Sequence, residues 1–202
     1  MTEFIIGLDE AGCGPLCGPL VAGAVILPFE DCENYKHLDT LKLCDSKKLT
    51  EKKRNTMYTQ IVKTCRYGIG MVDNDEIDRI GLGRARRIVF HRALDDMFSK
   101  MNEFSDCTFR CIIDGTLAEQ YKNIPHECIP KADDTFPCVS AASILAKCVR
   151  DDWVYKLCES EPELTSRYDW VHNKGYPTPK HLKGIREYGI TSYHRKSFGP
   201  CR

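Results

Sequence analysis

The distribution of apolar residues predicts a sheet in the first half of the chain. Apolar runs at residues 4–8 and 20–27 are typical of buried strands, and the Gly/Pro-rich turn between them favours an antiparallel pair. Shorter apolar runs at residues 67–72 and 109–113 predict two further strands. These runs place the predicted hydrophobic core on a sheet.

Apolar residues at helical spacing predict the helices. Thr50 is a typical N-cap residue and precedes one such pattern, while residues 84–101 and 139–157 form two longer ones. A last helix is predicted to begin at Pro179 and to end before Gly189. The mixture of elements indicates an α/β or α+β protein around a mixed sheet.

The composition is that of one soluble globular domain. The chain has 202 residues, of which 42% are hydrophobic and 29% charged, and this excludes disordered, collagen-like and coiled-coil proteins. No apolar run approaches the ~18 residues of a membrane span, and Glu3 stands where a secretory signal carries positive charge. We therefore expect a cytoplasmic protein in a reducing compartment, without membrane contact.

Cysteine is unusually frequent, with 12 residues in the chain. No Cys-x-x-Cys pair occurs, although this spacing is the most typical of structural zinc sites. We therefore expect most of the cysteines to be small buried hydrophobic side chains.

Carboxylates follow the predicted strands. Asp9 and Glu10 come at the end of the first strand, Asp114 ends a later strand, and Asp133 precedes the 139–157 helix. Carboxylates that meet in one cleft repel each other unless divalent metal neutralises them, and Mg²⁺ prefers such oxygen ligands. The alternative is that each acid is a separate turn residue or helix cap. Because neighbouring strand residues point to opposite faces, Glu10 is expected to reach a site shared with Asp9 only from within the following turn.

Basic residues form two clusters although the net charge is zero. One lies within residues 42–54, and the other within residues 171–202, where Glu187 is the single acid and His172, Tyr176 and Tyr193 are interspersed. Basic and aromatic side chains in alternation suit a nucleic-acid backbone, whereas the simpler interpretation is a solvated charged face. We interpret the chain as a single domain, 1–202, with 160–202 as a basic substrate-binding segment.

Six motifs together resemble type 2 ribonuclease H (ribonuclease HII), in its bacterial form. They occur in the family's order and span nearly the whole chain. The motifs are Gly7-Leu8-Asp9-Glu10-Ala11-Gly12-Cys13-Gly14-Pro15-Leu16-Cys17-Gly18-Pro19, Asp45-Ser46-Lys47-Lys48-Leu49, Ile113-Asp114-Gly115, Lys131-Ala132-Asp133, Ala141-Ala142-Ser143-Ile144-Leu145-Ala146-Lys147 with Arg150-Asp151, and Asn173-Lys174-Gly175-Tyr176 with His194-Arg195-Lys196-Ser197-Phe198.

The resemblance implies a ribonuclease H-like α/β fold, with a mixed five-stranded sheet flanked by helices and a small C-terminal helical part. It implies an endonuclease that cuts the RNA strand of RNA–DNA hybrids, and we expect this endonuclease to be a monomer. It also implies cleavage on the 5′ side of single ribonucleotides in duplex DNA, which leaves 3′-hydroxyl and 5′-phosphate ends. Two Mg²⁺ or Mn²⁺ ions are the implied cofactors.

The resemblance also assigns candidate site residues. The family's metal-binding and catalytic carboxylates correspond to Asp9, Glu10, Asp114 and Asp133. Asp151 is interpreted as structural. The candidate substrate-binding residues are Gly12, Cys13, Gly14, Lys47, Lys48, Ser143, Lys147, Tyr176, Lys180, His181, His194 and Arg195.

Cys13 departs from the family pattern, in which the turn reads Gly-Arg-Gly. Backbone contacts from Gly12 and Gly14 to a ribonucleotide survive this change, whereas a positive charge near the junction phosphate does not. The sequence therefore suggests weakened junction affinity with intact metal chemistry, and predicts that Cys13→Arg changes affinity and its salt dependence.

Three other classes of protein remain as alternatives. A dinucleotide-binding oxidoreductase is disfavoured because Cys17 stands where its fingerprint needs a third glycine. A hybrid-binding module that has lost its chemistry is disfavoured because all four candidate carboxylates are present. A cysteine-based redox or metal module is the third.

Overall fold

A mixed five-stranded sheet forms the centre of the computed structural model, which describes residues 2–28, 49–101 and 107–202. The strands are β1 (Thr2–Ala11), β2 (Leu20–Ile26), β3 (Arg66–Val72), β4 (Cys107–Asp114) and β5 (His126–Ile129). Their spatial order is β3-β2-β1-β4-β5; β1, β2 and β3 are antiparallel neighbours, whereas β4 lies parallel to β1 and β5 parallel to β4. This confirms the predicted mixed sheet.

Helices cover both faces of the sheet and form the C-terminal part. The helices are α1 (Glu51–Thr64), α2 (Asn74–Ile80), α3 (Leu82–Ser99), α4 (Pro137–Ser160), α5 (Glu163–Tyr168), α6 (Trp170–Asn173) and α7 (Pro179–Tyr188), with 3₁₀ turns at Ala132–Asp134 and Gly199–Cys201. Helix α3 packs on one face, mainly against β3 and β2, and the long helix α4 packs on the other, against β1 and β2. Helix α1 lies on α4.

The alternation of side chains along β1 assigns its residues to the two faces. Ile6 and Leu8 belong to the apolar cluster under α3. Gly7 points the other way, and a Cβ atom there would lie 2.2 Å from the backbone carbonyl carbon of Cys138 at the start of α4. The missing side chain therefore lets α4 lie directly on the strand that carries Asp9.

The described residues confirm most of the predicted elements. Thr50 caps α1, because its hydroxyl accepts a hydrogen bond from the backbone N–H of Lys53. Strand β5 and the helices α2, α5 and α6 were not located by the sequence analysis. All four are short, and β5 is only partly buried, so none of them leaves a clear apolar period.

The cysteines confirm the prediction of buried side chains. Seven of the ten described cysteines are buried and three are intermediate, and all ten are free thiols. None of the helices in the described ranges is long and apolar enough to cross a membrane.

Candidate active site

Two of the predicted carboxylates lie side by side where β1 and β4 run parallel. Leu8 pairs with Ile113 in the register, so Asp9 and Asp114 are the next residues on neighbouring strands. One carboxylate oxygen of Asp114 accepts a hydrogen bond from the backbone N–H of Ala132, at 2.9 Å. Asp133 directly follows Ala132 and is buried. This hydrogen bond therefore brings the chain segment that carries Asp133 to the same end of the sheet.

Asp9 is buried between β1 and α4. Its side chain is 6% exposed and is hydrogen-bonded to Ser143 on α4. Burial raises the pKa of Asp9 from its ordinary value of 3.8 to about 8, and the charges of Glu10 and Asp114 add to the rise, while the Ser143 hydrogen bond opposes it. Burial therefore favours the protonated form of Asp9, and a bound cation would favour its ionisation.

The prediction that Glu10 reaches the site from within a turn is wrong. Strand β1 continues to Ala11, so Glu10 is still in the strand and pairs with Ala22. Its carboxylate turns towards α3, where the Arg86 guanidinium lies 2.6 Å from Oε1. Burial raises the pKa of Glu10, although the positive charge of Arg86 opposes this effect. Asp9 and Glu10 thus approach the end of the sheet from its opposite faces.

The carboxylates do not form a ready-made metal cage. Within residues 2–28, 49–101 and 107–202, no three His, Cys, Asp or Glu side chains are grouped as ligands of one ion. Glu10 is paired with Arg86, and Asp114 with the Ala132 N–H. The second carboxylate oxygen of Glu10 is buried and has no hydrogen-bond partner among the described residues, which leaves one acceptor available for a cation.

The turn after β1 lies against Tyr176. Gly12 has φ = +107°, and a Cβ atom on Gly14 would lie 3.2 Å from the Tyr176 ring. The Tyr176 side chain is 41% exposed, and the Lys147 ammonium and the Arg150 guanidinium lie 5.9 and 6.0 Å from its ring centroid. An exposed aromatic ring flanked by two cations is thus presented next to the glycine turn.

Three of the predicted substrate-binding side chains are completely buried within the protein. His181, His194 and Arg195 are all 0% exposed. Arg195 donates to the backbone carbonyls of Gly18 and Pro15, both at 3.0 Å, and these hydrogen bonds stabilise the turn after β1. In this conformation these three side chains cannot reach a phosphate, because other residues cover them completely.

His181 and His194 form a buried hydrogen-bonded cluster. The Trp170 indole N–H donates to His181 Nε2, and this nitrogen lies 3.1 Å from His194 Nε2. The proton of neutral His181 is therefore on Nδ1, which donates to the backbone carbonyl of Tyr176 at 3.0 Å. Burial and the neighbouring His181 lower the pKa of His194 to about 4. The cluster is neutral at pH 7, and it positions Tyr176.

The remaining predicted substrate contacts differ in their accessibility. Lys180 is exposed on α7, and its ammonium lies 3.5 Å from the Asp169 carboxylate. Lys147 is paired with Asp151 at 2.9 Å, which agrees with the structural interpretation of Asp151. Lys47 and Lys48 lie outside the described residues.

Arg86 is the site residue that the sequence analysis missed. Arg86 lies one helical turn before the buried Phe90 and two turns before the buried Ala93, which places it on the stripe that faces the sheet. This spacing is visible in the sequence and is the signal that could have identified it.

The comparisons with known proteins agree on one family. Residues 6–201 match the family described as Ribonuclease HII. The ribonuclease HII of Christiangramia forsetii is 42% identical over 195 residues, which cover 96% of this chain and 89% of that protein. The ribonuclease HII of Bacteroides thetaiotaomicron is 42% identical over 193 residues, which cover 95% of this chain and 88% of that protein.

Solved structures support the fold. The ribonuclease H2 from Pyrococcus horikoshii superimposes with a TM-score of 0.74 at 24% identity, covering 98% of this chain and 95% of that one. Bst-RNase HIII in complex with Mn²⁺ gives a TM-score of 0.73 at 20% identity, covering 99% of this chain and 68% of that one. The predicted ribonuclease H-like fold is thereby confirmed. The chain belongs to the ribonuclease HII family and is a ribonuclease H endoribonuclease.

Proposed function

We propose that this endoribonuclease cuts RNA–DNA hybrids and single ribonucleotides in duplex DNA at a two-metal site held by Asp9, Glu10, Asp114 and Asp133. Cleavage on the 5′ side of the ribonucleotide leaves 3′-hydroxyl and 5′-phosphate ends. The adjacent placement of Asp9 and Asp114 on parallel strands carries the proposal, because it collects acidic oxygens at one end of the sheet. We further propose that the protein acts as a cytoplasmic monomer.

The chemistry of these residues fits divalent cations. Mg²⁺ and Mn²⁺ take oxygen ligands, and the buried Asp9 and Glu10 both have raised pKa values that a neighbouring cation would lower. Glu10 also has a buried oxygen without a hydrogen-bond partner in the described part of the chain. When bound, two such ions activate a water and stabilise the leaving 3′-oxygen.

Ser143 has a positioning role in this proposal, because its hydrogen bond lowers the pKa of Asp9. We expect Ser143→Ala to raise that pKa further, so that a proton competes more strongly with metal. The apparent Mn²⁺ dissociation constant at pH 7 should increase about 10-fold, as is typical when a hydrogen bond to a metal ligand is lost. Calorimetric titration with Mn²⁺ measures this constant, with Ser140→Ala on the same helix as the control. An unchanged constant for Ser143→Ala would contradict the role.

We propose that Gly12, Cys13, Gly14 and Tyr176 recognise the ribonucleotide. The glycines allow the backbone to approach a 2′-hydroxyl, which alone distinguishes RNA from DNA at that position. The Tyr176 ring offers an apolar face beside the turn for the sugar. The exposed Lys180 on the basic segment 160–202 and the partly exposed Lys147 are candidates for phosphate contacts. Lys47 and Lys48, outside the described residues, are further candidates on the resemblance alone.

Tyr176→Ala should lower cleavage of a duplex with one ribonucleotide by about 10- to 100-fold, since stacking on an aromatic ring contributes roughly 1–3 kcal/mol. Tyr176→Phe should keep most of the activity if packing is the main contribution. The measurement is kcat/KM for a single-ribonucleotide duplex and for a continuous hybrid. Tyr188→Ala, which removes another exposed tyrosine, is the control. Equal activity of Tyr176→Ala and Tyr188→Ala would refute the assignment.

A cleavage assay tests the proposed function as a whole. Labelled duplex DNA with one ribonucleotide is incubated with Mg²⁺, Mn²⁺ or EDTA, and a continuous RNA–DNA hybrid is run in parallel. We expect metal-dependent cuts of both substrates, on the 5′ side of the ribonucleotide in the first. Cleavage of the hybrid alone would remove the junction specificity from the proposal. Binding without cleavage of either substrate would favour the alternative of a non-catalytic hybrid-binding module.

A further inference from the structure

Arg86 reaches from α3 into the space between the ends of β1 and β4. Its terminal nitrogen lies 2.6 Å from the carboxylate of Glu10. The same nitrogen would lie 3.3 Å from a Cβ atom on Gly115, the residue directly after Asp114. The guanidinium is therefore placed among the proposed metal-binding carboxylates rather than on the outer face of its helix.

The guanidinium retains unused hydrogen-bonding capacity. Arginine has five N–H donors in a planar fork that suits the oxygens of a phosphate. The Nε of Arg86 has no hydrogen-bond partner among the described residues, although it is buried. The side chain as a whole is 26% exposed, so part of it is open to solvent. Arg86 can therefore accept an anionic ligand from the open side while it remains near Glu10.

Arg86 also lies next to Cys13, the residue that departs from the Gly-Arg-Gly pattern. The Cys13 thiol is 3.4 Å from the same Glu10 oxygen that Arg86 contacts. Burial raises the pKa of Cys13 to about 12, so this thiol is neutral and supplies no charge. The position beside the glycine turn thus has a positive charge after all, and α3 rather than the turn supplies it.

We propose that Arg86 takes the place of the missing arginine of the turn and contacts a backbone phosphate of the bound strand beside the cleavage site. The proposal rests on the proposed function, because it assigns a substrate contact within that same cleft. It changes the expectation for Cys13. A second guanidinium introduced there would lie beside Arg86 and be repelled by it, so Cys13→Arg alone should bring little gain.

The test uses the salt dependence of activity and binding. For wild type and variants, kcat/KM on a single-ribonucleotide duplex in Mg²⁺ is measured over a series of KCl concentrations. The dissociation constant for an all-DNA duplex is measured by fluorescence anisotropy over the same series. This duplex contains no ribonucleotide, so it is not cleaved during the measurement. Each phosphate contact contributes about 0.9 to the slope of log affinity against log salt.

Arg86→Gln should lower kcat/KM about 10-fold at low salt and reduce both salt slopes by about 1, as expected for the loss of one charged phosphate contact. Arg86→Lys should keep the slope. Arg84→Gln removes the same charge from an exposed position on the same helix and is the matched control. In the Arg86→Gln background, Cys13→Arg should restore the slope and most of the activity.

Several results would overturn the proposal. One is an unchanged slope in Arg86→Gln, which would make Arg86 only a counter-ion of Glu10. Another is a loss of kcat/KM in Arg84→Gln as large as that in Arg86→Gln. A third is that Cys13→Arg fails to restore the salt slope of Arg86→Gln, although Arg86→Gln is folded and unfolds at the wild-type temperature. If Arg86→Gln itself fails to fold, the test uses Arg86→Lys and the single variant Cys13→Arg instead. A steeper salt dependence of Cys13→Arg than of wild type would then contradict the proposal. Failure of the wild-type protein to cleave either substrate would instead refute the proposed function.

Discussion

Replacement of Asp9 by Asn should abolish metal-dependent cleavage, with a loss of about 10³-fold or more, because it removes a charged ligand from the centre of the proposed site. The side chains have nearly the same shape, so the hydrogen bond with Ser143 and the packing against α4 should be kept. The measurement is kcat/KM on a single-ribonucleotide duplex in Mg²⁺. Asp152→Asn, which neutralises an exposed carboxylate elsewhere on α4, is the control and should remain active.

The same substitution should stabilise the metal-free protein at high pH. The pKa of Asp9 is about 8 in the folded chain and 3.8 in its ordinary environment, so the folded state holds the proton more tightly than the unfolded state between these values. Stability is therefore lost as the pH rises from about 4 to about 8, by several kcal/mol in total. Asn cannot ionise, and Asp9→Asn should lack this loss.

Thermal unfolding in EDTA between pH 4 and pH 9 measures the effect. Wild type and Asp9→Asn should unfold at similar temperatures near pH 4, and the variant should unfold at the higher temperature near pH 8. Added Mn²⁺ should narrow the difference by stabilising wild type. If the unfolding temperatures of the two proteins change with pH in parallel, Asp9 is ionised in the folded state without metal. That result would contradict the effect expected from the burial of Asp9.

Replacement of Gly7 by Ala should strongly destabilise the fold. The added Cβ would lie 2.2 Å from the carbonyl carbon of Cys138 and 2.4 Å from the backbone nitrogen of Val139. Both obstacles are backbone atoms at the start of α4, so the whole helix must move away from β1. Overpacking usually costs about 1–3 kcal/mol, and we expect a value at or above the upper end, about 3–4 kcal/mol, because no side chain can rotate aside.

For a chain of this length such a loss lowers the unfolding temperature by roughly 10 °C, at about 2–4 °C per kcal/mol. Differential scanning calorimetry measures this shift. The control is Gly83→Ala in α3, where an added Cβ meets nothing within 4 Å. This variant should be neutral or more stable by about 0.5 kcal/mol, because alanine favours the helix and restricts the unfolded chain. Equal unfolding temperatures for the two variants would refute the close contact between α4 and β1.

The sequence by itself determined the main elements and the acidic residues at their ends. Strand alternation and helical spacing are local properties, so the antiparallel pair of β1 and β2, the Thr50 cap and the long helix α4 could be recognised without the structure. The resemblance added the fold and the reaction, because its motifs occur in one order along nearly the whole chain.

Only the tertiary structure decided how the site is assembled. Glu10 remains in β1 and meets Arg86 across the α3 face, whereas Asp9 faces α4, and this division depends on where the strand ends and how each helix lies on the sheet. His194 and Arg195 carry polar side chains typical of an exposed binding segment, yet both are completely buried. Their burial is decided by partners distant in sequence, such as the turn after β1, and a local pattern carries no information about such partners.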